Sequence, residues 1–397
     1  MTRFKIPTKH DKPTDDAILL GHDEIVKALK NFLLSDDIIT PLSIAIDGDW
    51  GSGKTSIMRT LSKEFTSDEF IKINFEPWRY ENSDPPLALI QTIVKELQRN
   101  SVQKIGKQIL YLAAGALSTK YLGVDIKDVA QFIEGNVRDV ESFSKELEKT
   151  IKENRSGNQK LLIMIDDLDR CSVENTLLIL AIMKLFLDIE DCICVAAVDF
   201  ERLQQAWRTK YHVSEVKDKG KEYLEKIFQV KVAVPKPSDD QIKDYVEELV
   251  PDMDEVILEL FSKIGPKNPR SIKRLLNIMR FRSSMMNSDF KNDTSMFWTL
   301  LEHAISNKAL VQATRGLEKQ NGSLGQLICN FAEANPSEYR DALLRHVSNT
   351  QNIPGISEKI ILFLTLANKY SIKYGMHYTH FDNNFSILRN LTNEEIE

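Results

Sequence analysis

Short apolar runs alternate with stretches of helical periodicity over residues 16–235. The runs predict strands at Leu42–Asp47, Leu161–Ile165, Cys192–Val198 and Val230–Val234, and Ile71–Phe75 alternates between apolar and polar residues as a further strand. Continuous apolar strands are typical of a parallel sheet that is covered on both faces. Strands that alternate with helices in this way predict an α/β fold, with a parallel-sheet core in an αβα sandwich.

The pattern changes after Pro235-Lys236-Pro237, beyond which every periodic stretch is helical. The predicted organisation is a flexible N-terminus over 1–15, a core over 16–235, a helical segment over 236–285 and a helical C-terminal region over 286–397. Residues 100–157 interrupt the core pattern with helices and charged linkers, and this predicts a helical insertion.

Composition narrows the class of protein. The 397 residues are 42% hydrophobic and 28% charged, and 52 basic against 58 acidic side chains give a net charge of −6. This balance argues against a protein that binds nucleic acid over its whole surface. The four cysteines lack metal-ligand spacing and Thr2–Asp16 is polar, so we expect a reducing, cytoplasmic location.

One stretch raises the question of a membrane. Residues 108–119 are largely apolar and lie between Lys107 and Lys120. A spanning helix needs about 20 apolar residues, and this run is about half that length. It predicts a packed or surface-lying helix, so association with a membrane surface stays open and a spanning helix is not expected.

A glycine-rich stretch follows the first predicted strand and precedes a helical pattern that starts at Ser56. It reads Gly48-Asp49-Trp50-Gly51-Ser52-Gly53-Lys54-Thr55 and fits G-x-x-x-x-G-K-[ST]. Its glycines allow successive N–H groups to face phosphate oxygens, and the helix that follows directs its positive end at the same place. We expect Gly48 to Ser56 to bind a nucleotide, with Lys54 on the β- and γ-phosphates and Thr55 on Mg²⁺.

Acidic residues follow the third predicted strand, at Asp166, Asp167 and Asp169. The strand carries them to the sheet edge where the loop lies. Asp166 is the predicted Mg²⁺ ligand, acting through water, and Asp167 or Asp169 orients or deprotonates the attacking water. The sequence does not separate these two candidates. Carboxylates this close repel one another unless cations lie beside them, and Arg170 is available for this purpose.

Polar residues at two further places in the chain are candidates for contact with a γ-phosphate. Asp199 ends the fourth strand, where it either contacts the γ-phosphate or caps the next helix, and the two interpretations carry equal weight. Arg270 lies in the first turn of a predicted helix, with Arg274 one turn later on the same face. Either arginine could report the presence of a γ-phosphate.

With these pieces in order, the chain resembles the KAP family of P-loop NTPases over about residues 15–285. Three stretches carry the resemblance: Asn74-Phe75-Glu76-Pro77-Trp78-Arg79-Tyr80-Glu81, Ile165-Asp166-Asp167-Leu168-Asp169-Arg170-Cys171, and Asn268-Pro269-Arg270 with Lys273-Arg274. The resemblance implies an additional-strand ATPase core and a helical lid over 236–285. It also implies a link to membrane-associated signalling assemblies or to phage exclusion. Many members insert transmembrane helices between the second and the acidic strand, where this chain has only the short run at 108–119.

The predicted function is Mg²⁺-dependent binding and slow hydrolysis of ATP. The favoured form is a nucleotide-gated switch in a signalling or anti-phage defence assembly, which acts on a protein partner or through self-association. The alternative is an ATPase motor or loader stimulated by nucleic acid, although nucleic acid is the less expected partner. This alternative rests on a predicted helix with five basic residues that could contact phosphates, namely Arg270, Lys273, Arg274, Arg280 and Arg282.

Overall fold

The chain divides into two compact units. The first comprises Pro13–Pro235, and the second comprises Met1–Lys12 together with Lys236–Glu397. The structure is a computed structural model. It describes residues 8–10, 12–14, 19–83, 85–99, 145, 147–153, 155, 157–186, 189–211, 219–285, 296, 299–300, 303, 362, 365–366, 368–369 and 372–373. Most of the predicted insertion at 100–157 and of the C-terminal region at 286–397 therefore lies outside the described residues.

Five parallel strands form the sheet of the first unit, in the order β2-β3-β4-β1-β5. They are β1 (Leu42–Asp47), β2 (Phe70–Phe75), β3 (Lys160–Ile165), β4 (Cys192–Val198) and β5 (Val230–Ala233). The predicted α/β class and parallel sheet are confirmed. Strand β4 lies between β1, which precedes the glycine-rich loop, and β3, which precedes the acids, as expected for an additional-strand core.

Helices cover both faces of this sheet. Those of the first unit are α1 (His22–Leu33), α2 (Lys54–Glu64), α3 (Pro85–Arg99), α4 (Val173–Phe186), α5 (Phe200–Tyr211) and α6 (Lys219–Ile227). Short 3₁₀ turns follow β2 at Pro77–Tyr80 and β3 at Leu168–Arg170.

Alternate residues of the central strands supply two separate cores. In β3, Leu161, Ile163 and Ile165 pack with α3 to α6 and with the helical residues 147–153. Leu162 and Met164 face the other way and pack with α1 and α2. Because both faces are buried, the strand is apolar from Leu161 to Ile165, and its sequence shows no alternation there.

The second unit contains three helices between 239 and 285, namely α7 (Asp239–Leu249), α8 (Glu255–Ile264) and α9 (Pro269–Met285). Side-chain caps precede the first residues of α7 and α8. Ser238 and Gln241 form a reciprocal capping box at α7, and Asp254 caps α8 through the Val256 N–H. The N-terminal segment belongs to this unit, since the Lys9 main chain exchanges two hydrogen bonds with the Asn277 side chain (2.8 and 2.7 Å).

In the part of the chain that the structure describes, no helix has the length and apolar character needed to cross a bilayer. The apolar run at 108–119, on which the question of a membrane depended, lies outside the described residues.

Candidate functional site

The glycine-rich loop leaves the end of β1 and leads directly into α2. Gly51 and Gly53 have φ values of 86° and 104°, a region that residues with a Cβ atom rarely adopt. The Ser52 N–H donates to the Asp49 carbonyl (3.1 Å), and the Gly48 N–H donates to Val198 at the end of β4 (3.2 Å). The loop is therefore a fixed turn at the carboxyl edge of the sheet, with α2 starting at Lys54.

Two polar groups of this loop indicate what it accommodates. The Lys54 ammonium is buried and donates to the Gly48 and Asp49 carbonyls (2.7 and 3.1 Å). The Ser52 hydroxyl is buried without a hydrogen-bond partner in the structure. A buried hydroxyl that has no partner is unfavourable unless a ligand supplies one. Together with the ammonium and the start of α2, it fits an anionic ligand with several acceptor oxygens, such as a polyphosphate.

The other members of the predicted nucleotide-binding set lie on the same loop or just after it. Trp50 is 42% exposed at the loop, and Asp49 is exposed. Ser56, in the first turn of α2, accepts a hydrogen bond from the Thr14 N–H (3.2 Å). Their roles in nucleotide binding stay predictions.

The fold brings the two predicted magnesium ligands together. The Thr55 hydroxyl donates to Asp166 Oδ1 (3.1 Å), and the Asp167 N–H donates to the same oxygen (2.8 Å). Hard cations such as Mg²⁺ prefer oxygen ligands and usually retain several waters, so two protein ligands suit them. The described residues contain no group of three or more His, Cys, Asp or Glu side chains that could hold a metal ion.

Asp166 is in an unfavourable environment for a carboxylate. Burial raises its pKa to about 6, and the negative charge of Asp167 acts in the same direction, while the hydrogen bond from Thr55 opposes both. A divalent cation beside Asp166 would favour its ionised form. The site therefore suits a cation that binds close to Thr55 and Asp166.

Asp167 and Asp169 face different arginines. Asp167, with a positive φ of 58°, pairs through Oδ1 with Arg170 Nε at 3.1 Å. Asp169 has a buried side chain, whose Oδ2 lies 3.7 Å from Arg202 Nη1 on α5. Arg170 therefore lies beside the acids as the sequence predicted. The sequence did not predict that Arg202 would lie near Asp169. The choice between the two acids as the group that activates water stays open.

An aromatic and arginine cluster borders these acids and consists of Glu76, Trp78, Arg79 and Arg170. The central guanidinium carbons of Arg79 and Arg170 lie 5.8 and 5.3 Å from the centroid of the Trp78 ring. Glu76 accepts hydrogen bonds from Trp78 Nε1 (3.2 Å) and Arg79 Nε (2.6 Å), and its charge also raises the pKa of Asp166. The sequence indicated Glu76, Trp78 and Arg79 only through the family resemblance, because nothing local shows that they meet the acidic strand.

Asp199 acts as a helix cap. Its Oδ1 accepts a hydrogen bond from the Arg202 N–H (3.1 Å) in the first turn of α5, which supports the capping interpretation. A contact between Asp199 and a γ-phosphate stays a prediction. Asp47 assists at the same turn, since its Oδ1 accepts from the Phe200 N–H (2.9 Å).

Arg270 lies in the first turn of α9, in the second unit. The Asn268 side chain caps this helix by accepting from the N–H groups of Arg270 (3.0 Å) and Ser271 (3.3 Å). Pro269 occupies the first helical position, which its fixed φ suits. The turn is therefore rigid, and the γ-phosphate roles of Arg270 and Arg274 stay predictions.

The raised pKa of Asp166 yields a prediction about stability. A carboxyl whose folded pKa is raised from 3.8 to about 6 costs the fold free energy as the pH rises through that interval. Asparagine retains the acceptor oxygen without the charge. At pH 7 in EDTA, we expect Asp166→Asn to increase the free energy of unfolding by about 1–3 kcal/mol, and this gain should shrink towards pH 4.

Urea unfolding of the full chain at several pH values measures this difference. Asp68→Asn, at an exposed position before β2, controls for the general loss of a negative charge. A wild-type protein at least as stable as Asp166→Asn at pH 7 would contradict the assignment.

Comparison with known proteins gives a family match over most of the described residues. The sequence model described as the KAP family P-loop domain matches residues 22–286. An uncharacterised protein of Methanocaldococcus jannaschii is 28% identical over a region that covers 31% of this chain and 87% of that protein.

Solved structures resemble the chain only loosely. A RuvB mutant of Thermotoga maritima is 14% identical, with 90% of each chain covered and a TM-score of 0.36. ORC1 of Aeropyrum pernix, in complex with DNA, is 12% identical, with 93% of this chain and 85% of that chain covered and a TM-score of 0.36. A Walker-type ATPase of Pyrococcus abyssi is 14% identical, with 90% and 92% covered and a TM-score of 0.37. Scores this low carry no argument about fold or function.

The family match is different in kind, because it spans more than half of the chain and includes the glycine-rich loop, the acidic strand and helices α7 to α9. The protein belongs to the KAP family of P-loop NTPases.

Proposed function

We propose that the protein binds ATP with Mg²⁺ and hydrolyses it slowly to ADP and phosphate. The observation that carries this proposal is the hydrogen bond between Thr55 and Asp166, which unites the end of the loop with the acidic strand. Lys54 and the loop N–H groups would hold the β- and γ-phosphates, and Thr55 and Asp166 would hold the metal. Mg²⁺ would supply neutralisation of the phosphate charge, and Asp167 or Asp169 would orient or deprotonate the attacking water. Family membership supports nucleotide binding and hydrolysis in general.

The pairing of Asp167 with Arg170 supports a slow basal rate. Arg170 Nε lies 3.1 Å from Asp167 Oδ1, so an attacking water would compete with the guanidinium for this oxygen. Arg170 is further engaged by the Trp78 ring, which is 37% exposed. A protein that rearranged this exposed cluster would release Asp167, so turnover would depend on a partner.

This dependence favours a nucleotide-gated switch over a plain ATPase. The output would be the binding of a protein partner or self-association, and hydrolysis would reset the switch. A place in a signalling or anti-phage defence assembly follows from the resemblance to the family. Location in the cytoplasm or at a membrane surface is part of the same proposal.

The alternative function, a motor or loader stimulated by nucleic acid, depends on the basic side chains of α9. All five of these residues have interactions within the structure. The Arg282 side chain, for example, donates to the Thr299 hydroxyl (3.1 Å). Residues that already have partners give less support to a phosphate-binding surface, so we favour the switch.

The first test separates binding from turnover. We expect Lys54→Ala to abolish ATP binding, and Asp167→Asn to bind ATP while releasing phosphate at least about 100-fold more slowly. Radiolabelled phosphate release and equilibrium binding measure the two properties. Lys63→Ala, at an exposed position on the same helix, is the control. If Asp167→Asn turns over at the wild-type rate and Asp169→Asn does not, Asp169 activates the water instead.

The second test removes the arginine partner of each acid. If Asp167 is the acid that acts on water, Arg170→Ala should raise basal turnover about fivefold, because a partly exposed ion pair contributes about 1 kcal/mol. Arg202→Ala, which removes the arginine near Asp169, should leave the rate unchanged. The opposite result would assign the role to Asp169. A rate unchanged in both variants would contradict the proposal that an arginine restrains turnover.

A further inference from the structure

His22 is a buried polar residue that nothing in the proposed chemistry uses. It is the first residue of α1, follows Gly21 (φ 76°) and is 6% exposed. Its main-chain N–H donates to the Leu19 carbonyl (3.2 Å), so the helix start holds the residue in place. Burying a histidine ring costs free energy unless its nitrogens have hydrogen-bond partners.

The imidazole packs directly against the phosphate loop. A Cβ atom placed on Gly53 would lie 2.3 Å from His22 Cε1, 3.0 Å from Nε2 and 3.1 Å from Nδ1. Glycine is therefore required at position 53 for two reasons: its φ of 104° and the space that the ring occupies. At Gly48, by contrast, the nearest atom to such a Cβ is the Ser52 hydroxyl, at 2.7 Å.

A hydrogen bond joins the ring to the backbone of Ser52. This bond raises the pKa of His22, which means that the imidazole N–H donates and the Ser52 carbonyl accepts. Burial acts more strongly in the opposite direction and lowers the pKa below its usual value, although the charge of Asp23 opposes it. The ring is thus neutral at pH 7, with one N–H, and that N–H is committed to Ser52.

The bond to Ser52 also fixes the next N–H group of the loop. In a planar trans peptide, the carbonyl of Ser52 and the N–H of Gly53 point in opposite directions. Since the carbonyl is directed at His22, the Gly53 N–H is directed away from it. Backbone N–H groups of this loop are the donors that phosphate oxygens require.

We propose that His22 is a positioning residue for the phosphate loop, which holds the Ser52–Gly53 peptide in the orientation that presents the Gly53 N–H to a bound polyphosphate. This inference rests on the proposed function, because it assigns His22 a role in binding the same ligand. His22 acts through the peptide and touches neither the base nor the reacting atoms in this role.

The test compares variants that separate ring volume from hydrogen bonding. His22→Phe fills the space without a donor, whereas His22→Asn and His22→Gln place an amide donor near the positions of Nδ1 and Nε2 respectively. We expect His22→Phe to weaken the binding of Mg²⁺-ATP, Mg²⁺-GTP and inorganic tripolyphosphate by the same factor of about ten. At least one amide variant should lie within about threefold of the wild type. His22→Ala replaces His22→Phe if the phenylalanine variant does not fold.

Equilibrium binding measures the three affinities, and thermal unfolding reports the stability of each variant. His10→Phe makes the same substitution at an exposed histidine and is the matched control. Equal affinities in the wild type and His22→Phe would overturn the inference, as would a loss for ATP alone, which would mean that His22 contacts the base. Reduced stability with unchanged affinity would also overturn it.

The outcome for the wild type separates the two proposals. If the wild type binds ATP and tripolyphosphate but His22→Phe binds them equally well, only the role of His22 fails. If the wild type binds neither ligand, the proposed function fails and this inference fails with it.

Discussion

The hydrogen bond from Thr55 to Asp166 joins two segments that are 111 positions apart in the chain. It can form because β1 and β3 run in the same direction and end at the same edge of the sheet, with β4 between them. Reversing either strand would carry the loop or the acids to the opposite edge. The two apolar cores that fix the strand registers are therefore part of the site, since a shift in register would move Thr55 away from Asp166.

Charge is the second constraint on this edge of the sheet. Asp166 is buried among the negative charges of Asp167 and Glu76, and its raised pKa reflects the cost. Three arginines offset neighbouring charges: Arg79 pairs with Glu76, Arg170 with Asp167, and Arg202 with Asp169. The arrangement leaves Asp166 as the carboxylate that benefits most from a cation. These three pairs neutralise charges that would otherwise repel one another at this edge of the sheet.

Much of the fold could be predicted from the sequence, because the central strands β3 and β4 are almost entirely apolar and the loop has a specific spacing. The strands, the parallel sheet, and the meeting of Thr55 with Asp166 followed from that pattern. Pairings between distant elements could not be predicted: the contact of His22 with Gly53, the approach of Arg202 to Asp169, and the approach of Arg170 to the Trp78 ring. Each of these contacts depends on how separate elements pack against one another, and the hydrophobic periodicity of the sequence does not predict such packing. Asp199 shows the limit well, because the end of a strand and the start of a helix predict a cap and a ligand contact equally.

Calorimetric titration of the full chain with ATP, ADP and AMP, each in Mg²⁺ and in EDTA, tests the central claim most directly. The loop and Lys54 are expected to act on the β- and γ-phosphates and Asp166 on the metal, so AMP lacks the groups that the site holds. The account predicts one ATP or ADP per chain, weaker ATP binding in EDTA and no measurable binding of AMP. Equal binding of AMP and ATP, or ATP binding that does not respond to Mg²⁺, would contradict it.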